Sequence, residues 1–269
     1  MLKRVSRIIL LSIYFFALLA DCYLLYNGKF EKRFLVRPLL MPCLMIYLST
    51  RKSIKRKTNS VIRIEIILLW AALSLSLLSD IFATRSTFFS LITCVSLYLL
   101  IYPIYIFIFI SLWKRVLTTE ATIKINPLNG IIFLTSFFLG SVYLKYFLHF
   151  GLKFSSVPFY FDALLLSILL AVVSSLVTLP KLYPAIYQLF GAILLIILQN
   201  VVYAYSNFAE TEINVRLYPI VALSYGLSQL LIVGGIITYF KTNQLEREKL
   251  FSKKNREYRK KRNLYYPNS

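Results

Sequence analysis

The stretch LWAALSLSLLSDIFAT, from Leu69 to Thr84, is a helix-length apolar run that contains one carboxylate, Asp80. Its length and composition are typical of a membrane-spanning helix. A carboxylate at the centre of such a helix costs about 2.5–3.5 kcal/mol on insertion scales. A chain keeps such a group where it is paired, hydrated or used in chemistry. The fold and the function therefore both depend on what faces Asp80.

The rest of the chain has the composition of a helical membrane protein. Of the 269 residues, 58% are hydrophobic, and apolar runs near membrane length recur between short polar pieces. This pattern predicts an all-α polytopic membrane protein, a bundle of eight transmembrane helices over residues 1–240 followed by a basic tail, 241–269. The predicted spans are Ile8–Tyr26, Phe34–Ser49, Val61–Ala83, Phe88–Trp113, Leu128–Phe150, Pro158–Leu179, Pro184–Phe208 and Leu217–Phe240.

The net charge of +20 is distributed as membrane insertion requires. Twenty-three basic residues fall on the side of the two termini and six on the other side. The positive-inside rule then places both termini in the cytoplasm, and the same distribution argues against nucleic acid as a partner. The tail is interpreted as a solvated, partly helical extension, or alternatively as a segment that binds anionic lipid headgroups.

This topology places most of the intramembrane polar residues in the outward half of the bilayer. Glu65 is the exception, at the cytoplasmic end, where it is expected to reach water beside Arg63. One interpretation is that each side chain extends to the nearer interface. The other is a shared polar cavity in which Arg37 is the counter-ion of Asp80. The residues predicted in the outward half are Asp21, Arg37, Asp80, Lys145, His149 and Asp162.

Two motifs lie on the second and third predicted spans. Arg37-Pro38-Leu39-Leu40-Met41-Pro42 begins the second span, and the third contains Ala72-Leu73 followed by Ser76 and Ser79-Asp80. In these motifs the chain resembles the YhhN family of lysoplasmalogenase-like membrane proteins. That family shows a Lys-Pro-Leu-Leu-Met-Pro-like motif in its second helix and Ala-Leu-x-Phe-Ser-x-x-Gly-Asp in its third.

Later segments match the family with substitutions. Tyr102-Pro103-Ile104-Tyr105 fits the family's His-x-x-Tyr, so Tyr102 stands where the histidine would be. Asn200 replaces the aspartate of the seventh helix. Tyr225 and Gln229 lie four residues apart, on one helical face, as in the family's Tyr-x-x-x-Gln.

The resemblance implies hydrolysis of the vinyl ether bond of lysoplasmalogen-type lipids. Asp80, Tyr102 and Asn200 then occupy the catalytic positions, with Asp80 as proton donor. Asn200 cannot act as a base, which leaves Asp21 or Asp162 as the candidate second carboxylate. The alternative is a protein of the same fold that binds or moves a lipid or another amphiphile without catalysis. The residues assigned to substrate binding are Arg37, Ser76, Ser79, Tyr105, Tyr225 and Gln229.

No cofactor or metal is expected. The three cysteines, Cys22, Cys43 and Cys94, all lie in predicted spans and lack CxxC or histidine-partner spacing. They are interpreted as small core residues. The expected partners are a membrane lipid or lysolipid substrate and, at the tail, anionic headgroups.

Overall fold

A computed structural model describes residues 2–51, 64–84, 88–119, 138, 145, 164–173, 183–205 and 215–265. These residues form helices and the turns between them, with no strand among them, so the all-α prediction is confirmed for this part of the chain. The helices are α1 (Leu2–Tyr26), α2 (Leu40–Ser49), α3 (Ile64–Ala83), α4 (Phe88–Thr119), α5 (Leu164–Val173), α6 (Tyr183–Ala204) and α7 (Tyr218–Tyr265).

Four helical segments in the described part of the chain are long and apolar enough to cross a membrane. They are Val5–Tyr26, Ile64–Ala83, Pro184–Tyr203 and Tyr218–Thr242. Two shorter apolar stretches, Ser96–Leu112 and Leu164–Val173, accompany them. Together they support a multi-pass integral membrane protein. The count of eight spans and the cytoplasmic termini stay predictions, and most of the predicted span Leu128–Phe150 lies outside the described residues.

The start of the second predicted span differs from the structure. In place of one α-helix over Phe34–Ser49, the chain forms two 3-10 helices, Phe30–Leu35 and Arg37–Leu39, and only then α2. Pro38 gives the physical reason, because a proline disfavours α conformation in the residue before it and removes a backbone donor. The segment between α1 and α2 therefore lies across the end of the bundle as a connection, residues 27–39.

A glycine turn starts this connection. Gly28 adopts a left-handed backbone with φ +67°, and the amides of Gly28 and Lys29 donate to the carbonyls of Leu25 and Leu24. This arrangement satisfies the last carbonyls of α1 and reverses the chain, as glycine commonly does after a helix. The connection consequently folds back toward the end of α1.

The helix α7 is the centre of the described bundle. It packs along α6 and also contacts α1 and α2, while α3 packs along α4. Glycines permit two of these close approaches, since a side chain at Gly226 would meet Leu18 of α1 and one at Gly235 would meet Leu189 of α6. Small residues at helix contacts are the usual means of close packing in membranes, where no hydrophobic force draws helices together.

The backbone of α7 continues as a helix beyond its apolar part to Tyr265. The expectation of a partly helical tail is therefore confirmed at the level of the backbone. Contact between this tail and anionic headgroups stays a prediction.

Candidate functional site

The sequence of α3 explains why Asp80 is turned inward. Its buried residues recur at the three- and four-residue spacing of one helix face, and Asp80 stands at the end of that face. Asp80 is 0% exposed, as are Ser76 and Ser79 on the preceding turn. Asp80 therefore faces the interior of the bundle and not the acyl chains. The buried residues of α3 are Glu65, Ile66, Leu69, Ala72, Leu73, Ser76, Ser79 and Asp80.

Arg37 and Tyr225 are the partners of the Asp80 carboxylate. Arg37 Nε donates to Asp80 Oδ1 at 2.9 Å, and the Tyr225 hydroxyl donates to Asp80 Oδ2 at 3.1 Å. The Arg37 guanidinium also lies over the Tyr225 ring, 5.2 Å from its centroid, within the range of a cation–π contact. The connection, α3 and α7 thus each contribute one side chain. The expectation that Arg37 is the counter-ion of Asp80 is confirmed.

A second buried ion pair lies at the same end of the bundle. Arg33, in the first 3-10 helix, donates to both oxygens of Asp21 on α1, from Nε at 2.8 Å and from a terminal nitrogen at 3.1 Å. Asp21 is 1% exposed and Arg33 6%. Burial lowers the pKa of the Arg33 guanidinium, and the nearby charge of Arg37 acts in the same direction while Asp21 opposes both. Sequence reasoning missed Arg33, because a basic residue in a short polar loop normally faces water.

Two hydrogen-bonded pairs of polar side chains lie in the same bundle. The Tyr105 hydroxyl donates to Gln229 Oε1 at 2.6 Å. Asn200 Nδ2 donates to the Tyr102 hydroxyl at 3.3 Å. The two pairs join residues 124 and 98 positions apart in sequence, so the predicted site residues on α4, α6 and α7 do contact one another.

Tyr98 connects the Asp80 pair to Tyr102, and sequence reasoning missed it. Its ring stacks on that of Tyr102 with centroids 6.4 Å apart, and meets the edge of Tyr225 with centroids 6.0 Å apart. The signal was available, because Tyr98, Tyr102 and Tyr105 recur on one face of α4 at helical spacing.

Some predicted residues stand apart from the Asp80 pair. Asn200 bonds to Tyr102, and Ser79 Oγ lies 3.1 Å from Cys94 Sγ. Asp21 interacts electrostatically with Asp80 and Arg37 but is bonded to Arg33. Lys145 is exposed, and its extension to a membrane interface stays a prediction. Asp162 and His149 lie outside the described residues.

The expectation that Glu65 reaches water is wrong. Glu65 is 0% exposed and accepts a hydrogen bond of 2.6 Å from Ser111 Oγ on α4. It shares the buried face of α3 with Asp80 but lies in the first turn of the helix, about 22 Å away at 1.5 Å per residue. A residue at the first turn of α3 is covered here because α4 packs along the whole of that face. Glu65 therefore belongs to a separate polar contact.

Metal ligation finds no support in the described ranges. No group of three or more His, Cys, Asp or Glu side chains is arranged there to hold an ion. The three cysteines are free thiols, and Cys43 and Cys94 are buried.

Comparison of this chain with protein-family models, with curated proteins and with solved structures finds no match.

Proposed function

We propose that this chain is a membrane hydrolase that cleaves the vinyl ether bond of single-chain, lysoplasmalogen-type lipids, with Asp80 as the reacting carboxyl group. One observation carries this function: Arg37, Asp80 and Tyr225, which belong to three separate motifs of the YhhN resemblance, meet in a single buried network. An ionisable network held inside an apolar bundle supports a functional site at that position.

The chemistry requires one acid and one molecule of water. Protonation of the β-carbon of the vinyl ether produces an oxocarbenium ion, and the carboxylate left behind stabilises that cation. Water then adds to the carbon bonded to oxygen and returns a proton to the carboxylate. The resulting hemiacetal breaks its C–O bond to release a fatty aldehyde and the glycerophospho-base. A single carboxyl group can serve both proton transfers, much as the acid of a retaining glycosidase also acts as base.

The other polar residues have supporting roles in this scheme. Arg37 binds the lipid phosphate, since a guanidinium matches phosphate oxygens in geometry and charge. Tyr225 orients Asp80 through its hydroxyl group. The Tyr105–Gln229 and Tyr102–Asn200 pairs line the path of the glycerol and the alkenyl chain, together with Ser76 and Ser79.

Aldehyde release by purified protein in liposomes tests this function. The substrate is a 1-alkenyl lysophospholipid, and the matched variant is Asp80→Asn, which keeps the shape of the side chain but cannot transfer a proton. We expect turnover to fall about 10³-fold in the variant, within the range of general acid catalysis. Elution as a folded species from size-exclusion chromatography is the control. Full turnover in the folded variant would exclude Asp80 as the acid.

Asn200 favours a second candidate function, the binding of a lipid or another amphiphile without catalysis. It stands where the family has an aspartate, and its amide is engaged by Tyr102. Under this function the wild-type protein releases no more aldehyde than empty liposomes. The variant Asn200→Asp distinguishes a site that lacks only this carboxylate, because it would then gain turnover.

A further inference from the structure

Arg37 contacts Asp80 through only one of its three guanidinium nitrogens. A guanidinium carries five N–H groups, and within the described residues the only hydrogen bond of this side chain is the one from Nε to Asp80. Arg37 is nevertheless 9% exposed. Neither terminal nitrogen donates to Asp80, so the contact between the two side chains is a single hydrogen bond.

Arg33 contacts its carboxylate in a different way from Arg37. Arg33 uses two nitrogens on the two oxygens of Asp21, a paired contact. Two parallel hydrogen bonds fix a guanidinium more firmly than one does. Of the two neighbouring arginines, Arg37 is the one that can change partner at lower cost.

Phosphate is the ligand group that fits these donors. Its oxygens accept two parallel N–H bonds from a guanidinium, and its charge compensates the cation in place of a carboxylate. The apolar helices around the site favour a phosphate that is attached to an acyl-like chain over free phosphate.

We infer that Arg37 exchanges Asp80 for the phosphate of a bound single-chain lipid, so that ligand binding releases the carboxyl group of Asp80 from its counter-ion. The inference rests on the proposed function for the identity of the ligand. It also gives that function an order of events. A buried carboxyl group without a counter-ion takes a proton from water, because an isolated charge is too costly there. Asp80 thus becomes an acid only when a phosphate-bearing lipid is present.

Binding of a lipid that cannot be hydrolysed tests the exchange separately from catalysis. The probe is a 1-alkyl lysophospholipid, whose saturated ether has no vinyl bond, and the readout is its dissociation constant in detergent. If Asp80 competes with phosphate for Arg37, Asp80→Asn and Asp80→Ala should bind the probe about tenfold more tightly than wild type, and Arg37→Gln about tenfold more weakly. Lys29→Gln removes an exposed cation from the same connection and should bind as wild type does.

Three other outcomes would contradict either the exchange of partners by Arg37 or the identity of the ligand. Equal or weaker binding by both folded Asp80 variants would show that Asp80 does not compete. Wild-type affinity in Arg37→Gln would show that Arg37 does not hold the phosphate. If inorganic phosphate displaces the probe at a concentration equal to that of the probe, the ligand of Arg37 is free phosphate and not a lipid. None of these measurements involves hydrolysis. If the protein shows the expected binding but releases no aldehyde, the proposed hydrolase function is refuted and the exchange of partners by Arg37 still stands.

Discussion

The two buried ion pairs of this protein use the same residue types at the same end of the bundle, yet they are built differently. Arg33 and Asp21 are 12 residues apart and share two hydrogen bonds. Arg37 and Asp80 are 43 residues apart and share one, with Tyr225 as a third member. The first pair fastens the connection to the adjacent helix α1. The second joins three distant segments, and Arg37 and Tyr225 each donate one hydrogen bond to Asp80.

The backbone of the connection produces this division. In one continuous α-helix, residues four apart lie on the same face, and both arginines would approach the same neighbour. Two short 3-10 helices on either side of Val36 replace that helix. Arg33 therefore reaches α1 while Arg37 reaches α3. We call Arg33–Asp21 the fastening pair and Arg37–Asp80 the exchangeable pair. The difference between them follows from this local geometry.

Removal of Asp21 should have the largest effect on folding. Asp21→Asn leaves Arg33 buried without a counter-ion, and loss of one partner of a buried pair costs about 3–5 kcal/mol. The measurement is the free energy of unfolding by SDS titration in mixed micelles. The double variant Asp21→Asn/Arg33→Met should recover most of the loss, because no charge then remains buried. A loss below about 1 kcal/mol in the single variant would contradict the fastening role.

Tyr225→Phe tests the third member of the exchangeable pair. It removes the hydroxyl that donates to Asp80 and keeps the ring under Arg37. A hydrogen bond to a charged group is worth about 1.5–3 kcal/mol, so aldehyde release should fall about 10- to 100-fold. Tyr14→Phe is the matched control, since its hydroxyl donates to the neutral carbonyl of Gly226. If turnover falls equally in the two variants, the hydrogen bond from Tyr225 to Asp80 does not contribute specifically to catalysis.

Gly226→Ala tests the close packing of α7 against α1, the helix that carries Asp21 of the fastening pair. A Cβ at Gly226 would clash with a methyl carbon of Leu18, so α1 or the Leu18 side chain must move. Overpacking of this kind costs about 1–3 kcal/mol, measured as the free energy of unfolding. Gly234→Ala is the control on the same helix, because its nearest neighbour, Gln188, is at 3.7 Å. Equal stability of the two variants would contradict close packing between α1 and α7.

Lysine replacement of each arginine gives the smallest and most direct comparison. Lysine supplies a point charge in place of a fork of donors. Arg33→Lys loses one of two hydrogen bonds and should unfold at about 1 kcal/mol lower free energy than Arg37→Lys, which can keep its single contact. Both values come from the same SDS titration. A larger loss in Arg37→Lys would reverse the assignment of the two pairs.

Several features of the site were predictable because they depend on local pattern. Hydropathy and run length are properties of short segments, and they predicted the helices that the structure describes. The spacing of Tyr225 and Gln229 placed both on one face of α7. The pairing of Arg37 with Asp80 was expected from topology, since two opposite charges in the same half of a bilayer reduce each other's cost of burial.

Arg33 and Glu65, the two charged residues whose environment the sequence did not reveal, are both buried by other segments of the chain. Glu65 lies near a basic loop and was expected in water, whereas Arg33 lies in the polar stretch FEKRF and was not considered as a site residue. Arg33 is covered because the glycine turn folds the connection back onto α1, and Glu65 because α4 lies along the full length of α3. Neither event has a signature within a few residues of the charge.

By itself, the sequence predicted an all-helical membrane protein and the pairing of Arg37 with Asp80, because hydropathy, spacing and charge act locally. The tertiary structure alone decided that Arg33 meets Asp21, and how many hydrogen bonds each ion pair makes. Arg33 and Arg37 are chemically identical and four residues apart, whereas Tyr225 reaches Asp80 across 145 residues. Contacts over such separations depend on how whole helices pack, and no short pattern encodes that.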